Sequence, residues 1–165
     1  MNKVTKLKKA AKVVGYELQM FEMIYNNYLA KPRNIKTQFD INILLESFII
    51  HAYCLYRFFY QGEKEKKNGN TYKRKIDDII AEDFNINRGK FLKNRTPKNK
   101  LKIIEKKRNK QLAHLTYNHI YRNSKTKPFK TDVIYKGLNK TMWAFFNSLT
   151  DESKKYFGIN TIQVN

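Results

Sequence analysis

Residues 41–60, INILLESFIIHAYCLYRFFY, are apolar almost all the way round a helix, and this run limits the possible folds more than any other. Ile41, Leu45, Phe48, Ala52, Leu55 and Phe59 recur at steps of four and three, the spacing of one helical face, and further apolar residues fill the other faces. Such a helix has to be covered on several sides, either as the central helix of a bundle or as one shared with a second subunit. A bilayer could also cover it. Glu46, His51 and Arg57 lie inside the run, however, and three ionisable groups in ~20 residues favour a buried bundle helix over a membrane span. The polar exceptions are ordered: at ~100° per residue, Asn42, Glu46, Tyr53 and Arg57 fall within ~60° of one another and form a narrow polar stripe.

The rest of the chain supplies partners for this helix. Leu7, Ala11, Val14, Leu18, Phe21, Tyr25 and Tyr28 alternate steps of four and three. They predict an amphipathic helix of about seven turns that ends near Lys31-Pro32, because the residue before proline leaves the helical region. Thr37 or Asp40 is expected to cap the helix that follows. Gln61 to Lys75 combines two glycines with dense charge and reads as a mobile loop. Ile76 to Phe84 reads as a short acidic helix, and Asn85 to Lys100 as basic and irregular up to Thr96-Pro97. That dipeptide has the form of an N-cap followed by proline in the first helical position. The helix starting there is expected to run to about Tyr121, with a turn at Asn123 to Pro128. Thr131 or Asp132 then opens a last helix with Ile134, Leu138, Trp143, Phe145, Phe146 and Leu149 on its apolar side, ended by Gly158. The sequence has no strand-like alternation, internal repeat or glycine-rich phosphate loop. An all-α fold is expected: a single domain over 1–165, an antiparallel bundle of four main helices plus one short one.

Composition bounds the chemistry. Lys and Arg number 34 against 14 acids, a formal charge of +20, which points to a polyanionic partner. Only 7 of those 34 are Arg, and the abundance of Lys, Asn, Ile, Tyr and Phe is what an AT-rich genome imposes, so part of the charge is compositional. The single Cys54 excludes an internal disulfide and cysteine-based zinc sites, and three scattered histidines do not make a metal site. No metal or cofactor is expected. Lys12 and Glu17 interrupt the run that would have to be a signal peptide's apolar core, so a cytoplasmic protein is expected.

Leu101, Ile104, Leu112 and Leu115 form one helical stripe, and Arg108 sits on it, four residues from Ile104 and Leu112 and seven from Leu101 and Leu115. A fixed cation placed where the chain otherwise puts leucines costs free energy unless it is paired or used. From it the chain reads Arg108-Asn109-Lys110-Gln111-Leu112-Ala113-His114-Leu115-Thr116-Tyr117. This resembles the signature of the HEPN superfamily, an Arg, usually a polar residue, and a His four to six positions on. The flank Ala113 to Tyr117 is similar to bacterial members of the toxin and phage-defence kind. Glu46-Ser47-Phe48 with His51, and Asp77 to Phe84, resemble the family in the same order, so that the likeness runs from about residue 40 to residue 122. In one respect the chain departs from the family form: Ala52-Tyr53-Cys54-Leu55-Tyr56 puts aromatic and Cys residues where polar ones are expected.

Arg108 and His114 would lie ~120° apart in direction and ~9 Å apart along a straight helix, too far to grip one phosphate easily from a single chain. A two-fold pairing of the motif helices removes that difficulty. The resemblance implies the same arrangement: a homodimer with a composite site that cleaves RNA without a metal. In the implied transesterification the ribose 2′-hydroxyl attacks the adjacent phosphorus. His114 handles a proton, and Arg108 stabilises charge on the phosphorane oxygens. Asn109 would orient the phosphate or a partner side chain. Lys107, Lys110 and Arg122 are candidate backbone contacts, and Tyr117 or Tyr121 a base-stacking platform. Glu46 is either the counter-ion of Arg108 or a residue bordering solvent. His119 rivals His114, and His51 reads as a satisfied core or interface residue. The expected function is an RNA-cleaving toxin of a toxin–antitoxin or phage-defence system, with an antitoxin protein as a possible partner. The alternatives are a non-catalytic basic helical module that binds RNA or protein, and a structural bundle with an AT-biased surface.

Overall fold

A computed structural model describes residues 2–30, 37–61, 66–67, 70–71, 78–109 and 130–158 of the protein, which is mostly helical. Helix α1 spans Lys3–Ile24; the Asn2 side chain caps it by accepting from the Thr5 amide, 2.9 Å away. It runs into a wide π turn at Tyr25–Leu29, just short of Pro32, as the apolar spacing predicts. Helix α2 spans Gln38–Tyr60, and both candidate caps take part in its start. The Thr37 hydroxyl accepts from the Asp40 amide while the Asp40 carboxylate accepts from the Thr37 amide, each at 3.1 Å, which is a reciprocal capping box.

After α2, a two-residue ladder pairs Lys66–Lys67 (β1) with Asn70–Thr71 (β2), antiparallel. The glycines and dense charge of this stretch predict a loop, and the ladder departs from that. Asn68-Gly69, the dipeptide that two-residue hairpins favour, stands between the strands in the sequence. The expected acidic helix is, over its described part, only a 3-10 turn at Ala81–Phe84, ended by Asn85 in the left-handed region (φ 48). The irregular stretch after it contains a helix, α3, at Arg88–Asn94, capped by Asn87 and anchored by the buried Phe91. Helix α4 spans Lys98–Lys107 and α5 spans Thr131–Phe146.

Two expectations at helix ends need correction. Thr96 does not cap α4: it is buried, and its hydroxyl donates to the Gly137 carbonyl of α5 (2.8 Å), so it ties two helices together and leaves Pro97 to lead into α4. The last apolar stretch is also not one helix ended by Gly158. After Phe146 the chain turns to pair with the loop before α3: the Asn87 amide donates to Ser148 O (2.7 Å) and the Thr150 amide to Asn85 O (3.3 Å). Thr150 then starts a separate short helix, α6 (Asp151–Tyr156), and Gly158 (φ 70) follows that one.

The core is heavily aromatic. Phe21 stacks on Phe48 at 4.9 Å between α1 and α2, and Tyr25 lies 3.7 Å from the Tyr135 ring of α5. The Tyr25 hydroxyl donates to Asp132 (2.9 Å); burial first, and that carboxylate second, push its phenol up to about 12. At the other end Phe58, Phe59, Phe84, Phe91 and Phe145 form a cluster of edge-on and tilted rings. Burying each ring is worth about 1.5–3 kcal/mol. Helix α2 touches α1, α4 and α5, so its inner side is covered as predicted. Its outer side is not: Phe39 is 70% exposed, Ile43 48% and Ile50 50%.

Candidate functional site

Helix α4 runs back along α2. At its start the Lys98 ammonium donates to Tyr60 O (3.4 Å), and at its end Arg108 donates to the hydroxyl of Tyr53 (2.6 Å), so the two helices are antiparallel. Leu101 and Ile104, at 1% and 0% exposure, seat α4 on the core and thereby fix the side from which Arg108 emerges. The first half of the predicted stripe is therefore present: two buried apolar residues, followed by a cation half-buried on the same side. The coil continues past Lys107 as a wider turn through Arg108 and Asn109. There the Arg108 guanidinium lies over the Tyr53 ring, 4.2 Å from its centroid, and donates its second arm to Asn109 Oδ1 (2.8 Å).

A second guanidinium reaches the same tyrosine. Arg57, one turn further along α2, donates to the Tyr53 hydroxyl (3.3 Å) through one arm and to Gln61 Oε1 (3.0 Å) through Nε. The Gln61 amide in turn donates to Asp78, whose carboxylate lies 4.0 Å from Arg57. The result is a chain of polar contacts from Asp78 through Gln61, Arg57 and Tyr53 to Arg108 and Asn109. Two cations bond to one hydroxyl oxygen, which has two lone pairs to offer and keeps its own proton to donate. Among the described residues no carboxylate pairs with Arg108. A half-buried pair of guanidinium groups that share one neutral hydroxyl presents the donors an oxyanion accepts from.

Comparison with known protein families, with curated proteins and with solved structures finds no match for this chain.

Of the predicted site residues, the structure brings Arg108 and Asn109 together, with Asn109 orienting the guanidinium. Lys107 stands half-buried in the last turn of α4. Glu46 is not the counter-ion of Arg108: it is exposed, and it lies two turns of α2 beyond Tyr53, ~10 Å along the axis from the level that Arg108 reaches. Tyr53 takes that place. His114, Lys110, Tyr117 and Arg122 lie outside the described residues, as does His119. Tyr53 and Arg57 were missed as site residues, although the helical angle had already grouped them on the polar stripe of α2. His51 is a satisfied core histidine, its Nδ1 2.8 Å from the Glu17 carboxylate and its ring edge-on to Tyr16. Desolvation and then Glu17 push the thiol of the exposed Cys54 up to about 11, which favours its protonated form. Among the described residues no His, Cys, Asp and Glu side chains gather as a metal site.

Proposed function

We propose that the protein is a metal-independent endoribonuclease of the HEPN type, a toxin of a toxin–antitoxin or phage-defence system. In this reading two copies pair their motif helices, and each site uses Arg108 and His114 to cleave RNA by 2′-hydroxyl transesterification. The observation that carries the reading is Arg108 itself. It follows two buried apolar residues on one helical stripe and is laid on Tyr53 without a carboxylate partner among the described residues, six positions before His114. A guanidinium held in that way is preorganised for an anion, and its cost is offset when one binds.

The outer face of α2 supports the pairing. Phe39, Ile43 and Ile50 fall on the same side of the helix as Tyr53 and Arg57, so a second copy seated on these apolar residues lies beside the polar cluster. The +20 charge supports a polyanionic substrate.

The test is cleavage of single-stranded RNA by the purified chain in EDTA. A 2′,3′-cyclic phosphate on the products is expected, with loss of cleavage in His114→Ala and retention in His119→Ala. Equal loss in both histidine variants would remove the assignment of His114. Cleavage that stops with the chelator would remove the mechanism. Salt-dependent RNA binding with no cleavage by the parent chain is the outcome expected of a non-catalytic basic module.

A further inference from the structure

We infer that Arg57 is a second phosphate-holding residue: Arg57, Arg108 and the Tyr53 hydroxyl between them form one clamp for a single phosphodiester of a nucleic-acid backbone. Arg57 sits on α2, outside the Arg–His motif, and its aim is set by other side chains. Asp78 holds the Gln61 amide, Gln61 accepts from Arg57 Nε, and this directs one arm of Arg57 at the tyrosine oxygen to which Arg108 also donates. The two guanidinium carbons lie 6.0 Å and 4.2 Å from the same ring centroid. Both groups donate to the one Tyr53 oxygen, so the two cations stand close together, and like charges so placed attract an anion in common. One anion between them takes hydrogen bonds from both planar forks and from the tyrosine proton, three donors for a tetrahedral group. The Arg57 side chain is 32% exposed, so the position is open to a ligand. Asp78, 4.0 Å from Arg57, is a carboxylate with which that ligand competes.

A phosphodiester, rather than free phosphate, fits the surroundings, because a chain of charge +20 attracts a polymer that touches several cations at once. The inference shares Arg108 with the ribonuclease reading and deepens it, but it is tested by binding alone. The probe is a fully 2′-O-methylated oligouridine, which cannot undergo transesterification, and its affinity for the full chain is measured by anisotropy across a salt series. Arg57→Ala is expected to weaken binding roughly tenfold, the loss of one charged hydrogen-bond donor. The log–log salt slope should stay close to that of the parent, because Arg108 still holds the same phosphate; a slope shortened by about 0.7 would mean that Arg57 contacts a phosphate of its own. Arg88→Ala removes the same charge from an exposed surface pair with Glu82 and is expected to change affinity less than threefold. Asp78→Asn is expected to tighten binding, and it keeps the test alive if Arg57→Ala does not fold. Equal losses in Arg57→Ala and Arg88→Ala, a slope shortened by about 0.7, or no gain in Asp78→Asn would overturn the clamp. So would millimolar orthophosphate displacing the probe as fully as unlabelled oligonucleotide at the same phosphate concentration, which would make the site one for the free anion. If the clamp behaves as expected but unmodified RNA is not cleaved, the ribonuclease reading fails and the clamp stands.

Discussion

The two ends of the α2–α4 contact use the same pair of residue types and do different things with them. At the closed end Arg95 lies over the Tyr60 ring at 4.6 Å and the Phe91 ring at 5.3 Å, and donates to the backbone carbonyl of Phe59 (3.2 Å). Tyr60 is 1% exposed; its hydroxyl donates to the Thr96 carbonyl and bonds Thr141 at 2.9 Å. Gly137 lets α5 close on this network, since a Cβ there would stand 2.7 Å from the packed Leu101. Burial raises the Tyr60 phenol above its ordinary range and lowers Arg95. At the open end Arg108 likewise lies over the Tyr53 ring, but the acceptors are a half-buried hydroxyl and an exposed amide. Where an arginine spends its donors on buried backbone it is part of the scaffold. Where it spends them on movable side chains at the surface, the same donors can be given to a ligand.

The largest expected effect sets the two arginines against each other. Arg108→Ala is expected to lower RNA cleavage by about 10²–10³-fold with the fold intact, the range seen when one charge-stabilising donor is removed. Arg95→Ala is expected to lower the melting temperature and leave cleavage per folded molecule unchanged. Rates that fall together would mean that both ends are scaffold.

A smaller effect separates the tyrosines. Tyr60→Phe leaves the buried Thr96 carbonyl without its donor and is expected to cost about 1–3 kcal/mol in urea unfolding. Tyr53→Phe, which keeps the ring under Arg108, is expected to stay within about 0.5 kcal/mol of the parent. A Tyr53→Phe loss as large as that of Tyr60→Phe would make the open end structural too.

The smallest effect is alkaline. The folded chain keeps the Tyr60 proton at a pH where the unfolded chain has lost it, because burial raises that phenol. Stability therefore falls as pH rises above about 10, the ordinary tyrosine value, toward the higher folded value. Tyr60→Phe should lose less stability than the parent over that window, while Tyr25 adds the same loss to both. Parallel curves would mean that the closed network does not hold the neutral phenol.

Much of the helical scaffold was legible because it depends on local signals. The steps of four and three placed α1 and α2, and Thr37 with Asp40 marked the start of α2. What was missed depended on few residues or on partners far along the chain. Helix α3 has only Phe91 buried and carries Gly89, too little to show as a period. The break after Phe146 comes from backbone pairing with Asn85 and Asn87, some sixty residues earlier, although Thr150-Asp151-Glu152 had the form of a cap with acids in the first turn.

By itself the sequence determined that the chain is mostly helical, that α2 has one narrow polar stripe, and that Arg108 emerges on an apolar seam. These are consequences of helical angle, which depends only on spacing along one element. Only the tertiary structure decided which member of the stripe Arg108 meets. The buried network of Tyr60, Thr96 and Thr141, with Leu101 and Ile104, sets how far α4 slides along α2, and that register brings Arg108 level with Tyr53 and Arg57 and two turns short of Glu46. Register between two helices is fixed by packing many residues at once, and no spacing within either helix contains it.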